Sequence, residues 1–273
     1  MSAISSAESK LTATASSSAS AGVYSIGISQ LAQAHSVRSK MFLPKPKFYD
    51  QGAATVGSAS TTVLGNGSSV TPSVWKATFD GTNWTIVNLT TGQTAGTIAG
   101  SSGSINLENG SGNGFQLTID PPSSGSYDAG DYFKWDNSKG AEQDLTATGL
   151  GVLSAGDQFT IEGQVITISA GETLTSLASK INTAASSMSS ADKVTASILN
   201  NQLVITRKNT GSAQIDMTDG TGSPLSDLDI MVGGTYQHVL VTAQDAVFSV
   251  NGVSMTRSSN TCLLYTSPSP RDS

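Results

Sequence analysis

Four times along this chain a run of alternating apolar and polar residues stops at a two-residue turn signal and then resumes. The signals are Asp80-Gly81, Glu162-Gly163, Asn200-Asn201 and Asn251-Gly252. Alternation with a period of two gives a strand one face for a core and one for solvent. A two-residue turn between such runs joins them as an antiparallel hairpin, and at Asp80-Gly81 the dipeptide predicts a type I′ turn with positive φ at both residues. The expected fold class is therefore mainly β with minor α (α+β): modular antiparallel β domains, one with a helix packed on its hairpins.

The apolar runs read as follows. Tyr24, Ile26 and Ile28 alternate with Ser25 and Gly27, as in a half-buried strand. Residues 75–86 flank Asp80-Gly81, and Phe115, Leu117 and Ile119 share a face until Pro121 and Pro122 end the run. Tyr132, Phe133 and Trp135 form the densest aromatic cluster, read as β core. Phe159 and Ile161 lead through Glu162-Gly163 to Ile166 and Ile168; Val194, Ala196 and Ile198 lead through Asn200-Asn201 to Leu203 and Ile205. Phe248 and Val250 face Val253 and Met255 across Asn251-Gly252.

Between the second and third hairpins the period changes. Leu174, Leu177, Ala178 and Ile181 recur at i, i+3, i+4 and i+7, one stripe of an amphipathic helix. Ser169 and Glu172 have capping-box spacing and predict the helix start. Residues 141–222 thus read as hairpin, helix, hairpin, with the stripe laid on a sheet. A short helix is predicted from Ser223 with Pro224 at its first position. The expected organisation is an N-terminal segment 1–42, an inserted β-rich domain 43–140, the helix-bearing domain 141–222 and a hairpin segment 223–261.

Composition excludes several function classes. Only 12% of residues are charged, the formal net charge is −6 and the pI is near 4.8, against a nucleic-acid surface. The local basic stretch Lys40 to Lys47 is broken by Pro44 and Pro46 and reads as a solvated linker. No apolar run reaches the roughly 20 residues of a membrane helix, and the first residues carry no signal core. Taken alone, these rules describe a soluble cytoplasmic protein.

Catalytic constellations are missing too, so no enzyme and no cofactor is expected. His35 and His238 are far apart in sequence, each in a polar setting. The run 110–114 precedes a strand rather than a helix and reads as a turn, not a phosphate loop. Asp216, Asp219 and Gly220 fail calcium-loop spacing and read as a solvated loop. The one cysteine, Cys262, opens the tail CLLYTSPSPRDS, which matches one reading frame of a common sequencing adapter; residues 262–273 are expected to be read-through.

Three stretches, TATASSSASAGVYS with QLAQA in 11–36, the segment around Ile181-Asn182 in 159–206 and FSVNGV with TRSSNT in 245–261, resemble flagellar hook-associated proteins, the filament cap (hook-associated protein 2) family above all. In residues 11–36 a TATASSSASAGVYS run precedes QLAQA. Residues 159–206 are similar to the "IN" motif of flagellins and hook-associated proteins, here Ile181-Asn182. Residues 245–261 resemble the cap stretch in which F-x-V-N-G-V precedes T-R-S-S-N-T. Residues 73–137, with FDGTNW and GDYF, look more like hook-associated protein 1. The coiled-coil helices that the family carries at both termini have no counterpart in this sequence, so Met1 is expected to be internal or the gene incomplete.

The resemblance implies a structural protein of the extracellular flagellar tip, exported unfolded without a cleaved signal, which revises the cytoplasmic reading. It implies a ring-like homo-oligomer that shelters incoming flagellin. Flagellin, other hook-associated proteins and an export chaperone are the implied partners, with host mucin as a further contact and neither nucleic acid nor membrane. The expected functional residues are structural: Leu174, Leu177, Ile181 and Asn182 of the helix, Phe159 and Ile161 beneath it, and Phe248, Asn251 and Gly252 of the last hairpin. The alternatives are a hook–filament junction protein, and a secreted carbohydrate-binding or adhesin module using Trp75, Trp84 and Trp135.

Overall fold

The computed structural model describes residues 2–17, 19, 21–49, 57–65, 71–108, 114–142, 144–146 and 153–262. In chain order, Ile26–Gln30 (β1), Ser36–Arg38 (β2) and Lys47–Tyr49 (β3) come first. Ser58–Leu64 (β4), Val74–Phe79 (β5), Asn83–Asn88 (β6), Gln93–Ala99 (β7), Gly103–Glu108 (β8), Gly114–Asp120 (β9) and Tyr132–Asp136 (β10) follow. Next are Gln158–Ile161 (β11), Gln164–Thr167 (β12), the helix Leu174–Ala185 (α1), Val194–Leu199 (β13) and Gln202–Arg207 (β14). The chain goes on through Met217–Asp219 (β15), Pro224–Asp227 (α2), Met231–Val232 (β16), Thr235–Tyr236 (β17) and Val239–Val241 (β18). Ala246–Val250 (β19) and Val253–Arg257 (β20) are last. All named pairings are antiparallel, so the fold is mainly β with minor α.

Two compact units result, and each is built from separated stretches of chain. The smaller comprises Met1–Ala34, Thr210–Ala213 and Ala243–Ser273. Its sheet has the order β1-β19-β20. Ile26 lies opposite Val250, Ile28 opposite Phe248, and Phe248 opposite Met255, so the apolar parity read from sequence is shared across all three strands. The expected half-burial of the first strand does not hold: Ile26 and Ile28 are 37% and 46% exposed. Parity decides which side chains share a face; it does not supply a layer to cover them.

The larger unit, His35–Asn209 with Gln214–Thr242, contains two cores. One is a sandwich. A five-stranded sheet, β3-β10-β5-β6-β7, faces a three-stranded one, β4-β9-β8. Phe133, Trp135, Phe79, Trp84 and Ile86 from the first meet Phe115, Leu117 and Ile119 from the second. Tyr132 is the exception in its cluster, lying half-exposed on the outer face. With Trp84 and Trp135 buried, the proposed tryptophan platform for sugars does not exist. The turn after β5 also differs from expectation. Asp80 is not in the positive-φ region, Gly81 is, and the Asp80 carboxylate accepts from the Thr82 and Asn83 N–H groups at 2.7 Å. The reversal is centred one residue later, with glycine first, because the aspartate side chain caps the loop.

The other core lies under α1. β12-β11-β15 forms one sheet and β13-β14-β2-β18 another, both contributing to a single apolar cluster. The second sheet draws β2 from residues before 43 and β18 from residues after 222, so the helix-bearing region takes strands from both of its flanks. The short helix begins at Ser223 with Pro224 at its first turn; the Asp219 carboxylate, 2.8 Å from the Leu225 N–H, accepts from its open amino end.

The stretch expected to be a solvated linker joins the two cores. Phe42 is buried in the helix core, whereas Met41 and Leu43 are buried in the sandwich. The Asn201 carbonyl accepts the Phe42 N–H at 3.0 Å, and the Asn201 side chain donates to the Asn137 carbonyl at 2.8 Å. One residue thus holds the chain where it enters the sandwich and where it leaves. Residues 110–113 of the run read as a turn and the tail 263–273 read as adapter read-through lie outside the described residues.

Candidate functional site

The residues picked from sequence fall into two groups. Leu174, Leu177, Ile181, Phe159 and Ile161 are all 0% exposed and belong to one cluster. Phe248, Asn251 and Gly252 belong to the smaller unit.

In the first group α1 is fixed at three points. Its N-cap is Thr173, whose hydroxyl accepts the Ser176 N–H at 3.0 Å while the Ser176 hydroxyl accepts the Thr173 N–H at 2.8 Å. The predicted start at Ser169 is therefore corrected. The Glu172 carboxylate does accept the Ser169 N–H at 2.8 Å, but Gly171 between them has φ +70 and cannot lie within a right-handed helix. Glu172, 1% exposed, instead binds Lys180 across the first turns of α1. Asn182 supplies the third point. Its side-chain amide donates to the Ala196 carbonyl and accepts the Ala196 N–H, both at 2.8 Å, so one amide ties α1 to β13.

A buried polar hub lies beside this core that sequence reading did not single out. Arg207 is 7% exposed and bonds Glu162 at 2.6 Å, Asp192 at 2.8 Å, and the carbonyls of Gln214 and Ala191. His35, read as a polar-setting histidine, is fully buried. Its Nδ1 accepts the Ile215 N–H at 3.1 Å, and its ring meets Tyr236 edge-on at 4.8 Å. Burial, then the Arg207 charge, holds the His35 pKa below its ordinary value. Burial pushes Glu162 up against the opposing pull of Arg207, and pushes Tyr236 up to about 12. The signal for the hub was present as parity: Arg207 follows Leu203 and Ile205 at intervals of two, and His35 precedes Val37 likewise. A charge on the inward parity of a strand marks a buried, paired group.

In the smaller unit, Asn251 has φ +50 and Gly252 φ +82, the left-handed pair this turn requires. The Asn251 side-chain oxygen accepts the Ser25 N–H and its own N–H donates to the Ser25 carbonyl, both at 2.8 Å. Asn260 repeats the two-point grip on Ala32, at 2.7 and 3.0 Å.

Among the described residues no group of three His, Cys, Asp or Glu side chains is placed to hold a metal ion. His238 pairs with Asp229 at 2.8 Å, remote in sequence from His35. No helix among them is long and apolar enough to cross a membrane.

No protein-family model matches the sequence, and no curated protein sequence does. Among solved structures, the chain is similar to the flagellar cap protein FliD D2-D3 domains from Serratia marcescens, at 19% identity over 92% of this chain and 84% of that one, with a TM-score of 0.39. It is similar also to the FliD D2-D3 domains from Escherichia coli, at 18% identity over 91% and 80%, with a TM-score of 0.40. The flagellar hook junction protein FlgK from Burkholderia pseudomallei is a further likeness, at 14% identity over 76% and 47%, with a TM-score of 0.25.

Proposed function

We propose that this chain is a structural part of the bacterial flagellum that caps the filament at its distal tip and assists flagellin to fold and insert there. One observation carries the reading. The two stretches that most resemble the cap family, 11–36 and 245–261, are far apart in sequence yet bind each other motif to motif. Ile26 and Ile28 pair with Val250 and Phe248, Asn251 grips Ser25, and Asn260 of the TRSSNT run grips Ala32 of QLAQA. The two resembling stretches thus close on each other as one sheet, as the parts of a single module do. The Ile-Asn pair has a comparable rationale, since Asn182 staples α1 to β13.

On this reading the protein works by shape at an extracellular site, reached by export without a cleaved signal. Its partners are further copies of itself in a ring, flagellin, other hook-associated proteins and an export chaperone, with host mucin as an outer contact. The roles of Leu174, Leu177, Ile181, Phe159, Ile161 and Phe248 are to keep rigid the plates on which such contacts are made. The junction-protein alternative keeps one point in its favour: the FDGTNW and GDYF segments that resemble that family lie on β5, β6 and β10 of one sheet.

Gold-labelled chain added to isolated flagellar filaments and viewed by electron microscopy tests the proposal. Label confined to the distal ends is the expected result. Label along the sides, at the hook end, or nowhere would overturn it.

A further inference from the structure

The outer face of the five-stranded sheet carries two neighbouring rows of side chains that folding does not account for. Lys47 of β3 stands opposite Lys134 of β10, which stands opposite Lys76 of β5. Neighbouring strands are about 4.8 Å apart, and like charges set directly opposite each other destabilise a sheet. The sequence has 20 acidic residues against 14 basic ones, yet none of these three lysines forms an ion pair among the described residues. The acid on the same face of β10, Asp136, is turned to the Ser138 N–H and hydroxyl instead.

Two of the ammonium groups are held against the sheet. Lys76 lies 4.3 Å over the Tyr132 ring and Lys47 lies 5.5 Å over the Tyr49 ring. The two rings stack on each other at 4.8 Å. Positive charge is thereby fixed over a flat surface rather than spread through solvent. The next row is chemically different. Tyr49, Tyr132, Thr78, Thr85 and Thr97 stand in register across all five strands. None of these hydroxyls is committed to another group among the described residues, and each can both donate and accept.

We infer that this face binds a strand of acidic polysaccharide laid across the sheet, its carboxylate or sulfate groups on the lysine row and its sugar hydroxyls on the tyrosine–threonine row. The two rows match the two kinds of group that such a polymer repeats along its length. Single-stranded nucleic acid fits less well, because base stacking needs free aromatic faces, and here those faces are occupied by the partner ring and by lysine. An acidic peptide would meet the lysines but leave the hydroxyl row without partners. The inference does not rest on the flagellar reading.

The purified chain, tested on immobilised heparin, polygalacturonate, polyglutamate, neutral dextran and a single-stranded oligodeoxynucleotide, decides the matter. The expected result is salt-sensitive binding to heparin and polygalacturonate, none to dextran, and weaker binding to the oligonucleotide. The triple variant Lys47→Gln, Lys76→Gln, Lys134→Gln should bind about tenfold weaker or less, through lost charge-assisted contacts. Thr85→Val with Thr97→Val should weaken binding without altering its salt dependence, and Lys208→Gln should leave it unchanged. No binding by the parent chain, equal binding by the triple variant, or equal affinity for oligonucleotide or polyglutamate would overturn the inference. So would a triple variant that melts at a lower temperature than the parent, since the row would then serve the fold.

Discussion

The sandwich and the helix-bearing core lie in one compact unit but are specified by different means. The sandwich is aromatic: Trp84 is fully buried, with ring centroids of Phe79, Tyr127 and Phe133 between 4.9 and 5.4 Å away. Large interlocking rings fill it, at the expense of polar accounting, for the indole N–H groups of Trp75 and Trp135 make no hydrogen bond among the described residues. The core beneath α1 is almost wholly aliphatic, and Leu, Ile and Val side chains tolerate alternative packings more readily than rings do. There, position is set by polar staples: Asn182 on Ala196, Thr173 with Ser176, and Arg207 among four partners. Bulk volume specifies one core; hydrogen-bonding geometry specifies the other.

That contrast can be broken by substitution, and it has a convenient readout. All three tryptophans, 75, 84 and 135, lie in the sandwich, so their fluorescence follows that core, while amide exchange in α1 follows the other. The largest effect is expected for Trp84→Ala, about 3–5 kcal/mol by denaturant unfolding followed by fluorescence, the more so as its Nε1–H donates to the Ser101 carbonyl at 3.1 Å. Leu177→Ala should cost about 2–5 kcal/mol, read as faster amide exchange in α1; unchanged exchange would mean the assigned helix face is wrong. Asn182→Ala should cost about 1–2 kcal/mol, the net loss of two partly buried hydrogen bonds. If it costs no more than an exposed substitution, the staple does not specify the helix position and the contrast fails.

The smallest effect concerns pH. His35 has its folded-state pKa lowered from 6.5, first by burial and then by Arg207. As pH falls below 6.5, the unfolded chain takes up a proton that the folded chain resists, so stability is full above that value and declines below it. His35→Asn keeps an acceptor for the Ile215 N–H and should flatten that part of the pH–stability curve. A parent and variant with parallel curves between pH values on either side of 6.5 would remove His35 from the account.

The parts of this structure that were legible in the sequence are those decided within a few residues. The turns at Glu162-Gly163, Asn200-Asn201 and Asn251-Gly252 lie where turns were read, each with positive φ at both residues, and the stripe Leu174, Leu177, Ala178, Ile181 is buried as a helix face. What escaped was decided between local alternatives or at long range. Ser169 with Glu172 and Thr173 with Ser176 are competing caps, and the left-handed Gly171 decides for the second. Asp80 caps a turn by its side chain, which moves the turn one position. Met41, Phe42 and Leu43 look like a brief apolar interruption of a basic, proline-broken stretch, and only two separate cores on opposite sides give them their burial. Of the functional residues picked from sequence, the helix set clusters because periodicity is a packing signal. Arg207 and His35 were missed because residue type was weighed ahead of strand parity.

The grip of Asn201 on Phe42 and Asn137 bears on the order in which the chain organises itself. β2 must find β14 across a long stretch of intervening sequence, and the loop-closure entropy of that search rises with the length left loose. Once β3 has paired with β10, residues 47–49 and 132–134 are held together, and the loop left to close between β2 and β14 is about half as long, a saving of about 0.6 kcal/mol. The sandwich then acts as a clasp that lowers the entropic cost of this remote pairing without making it local.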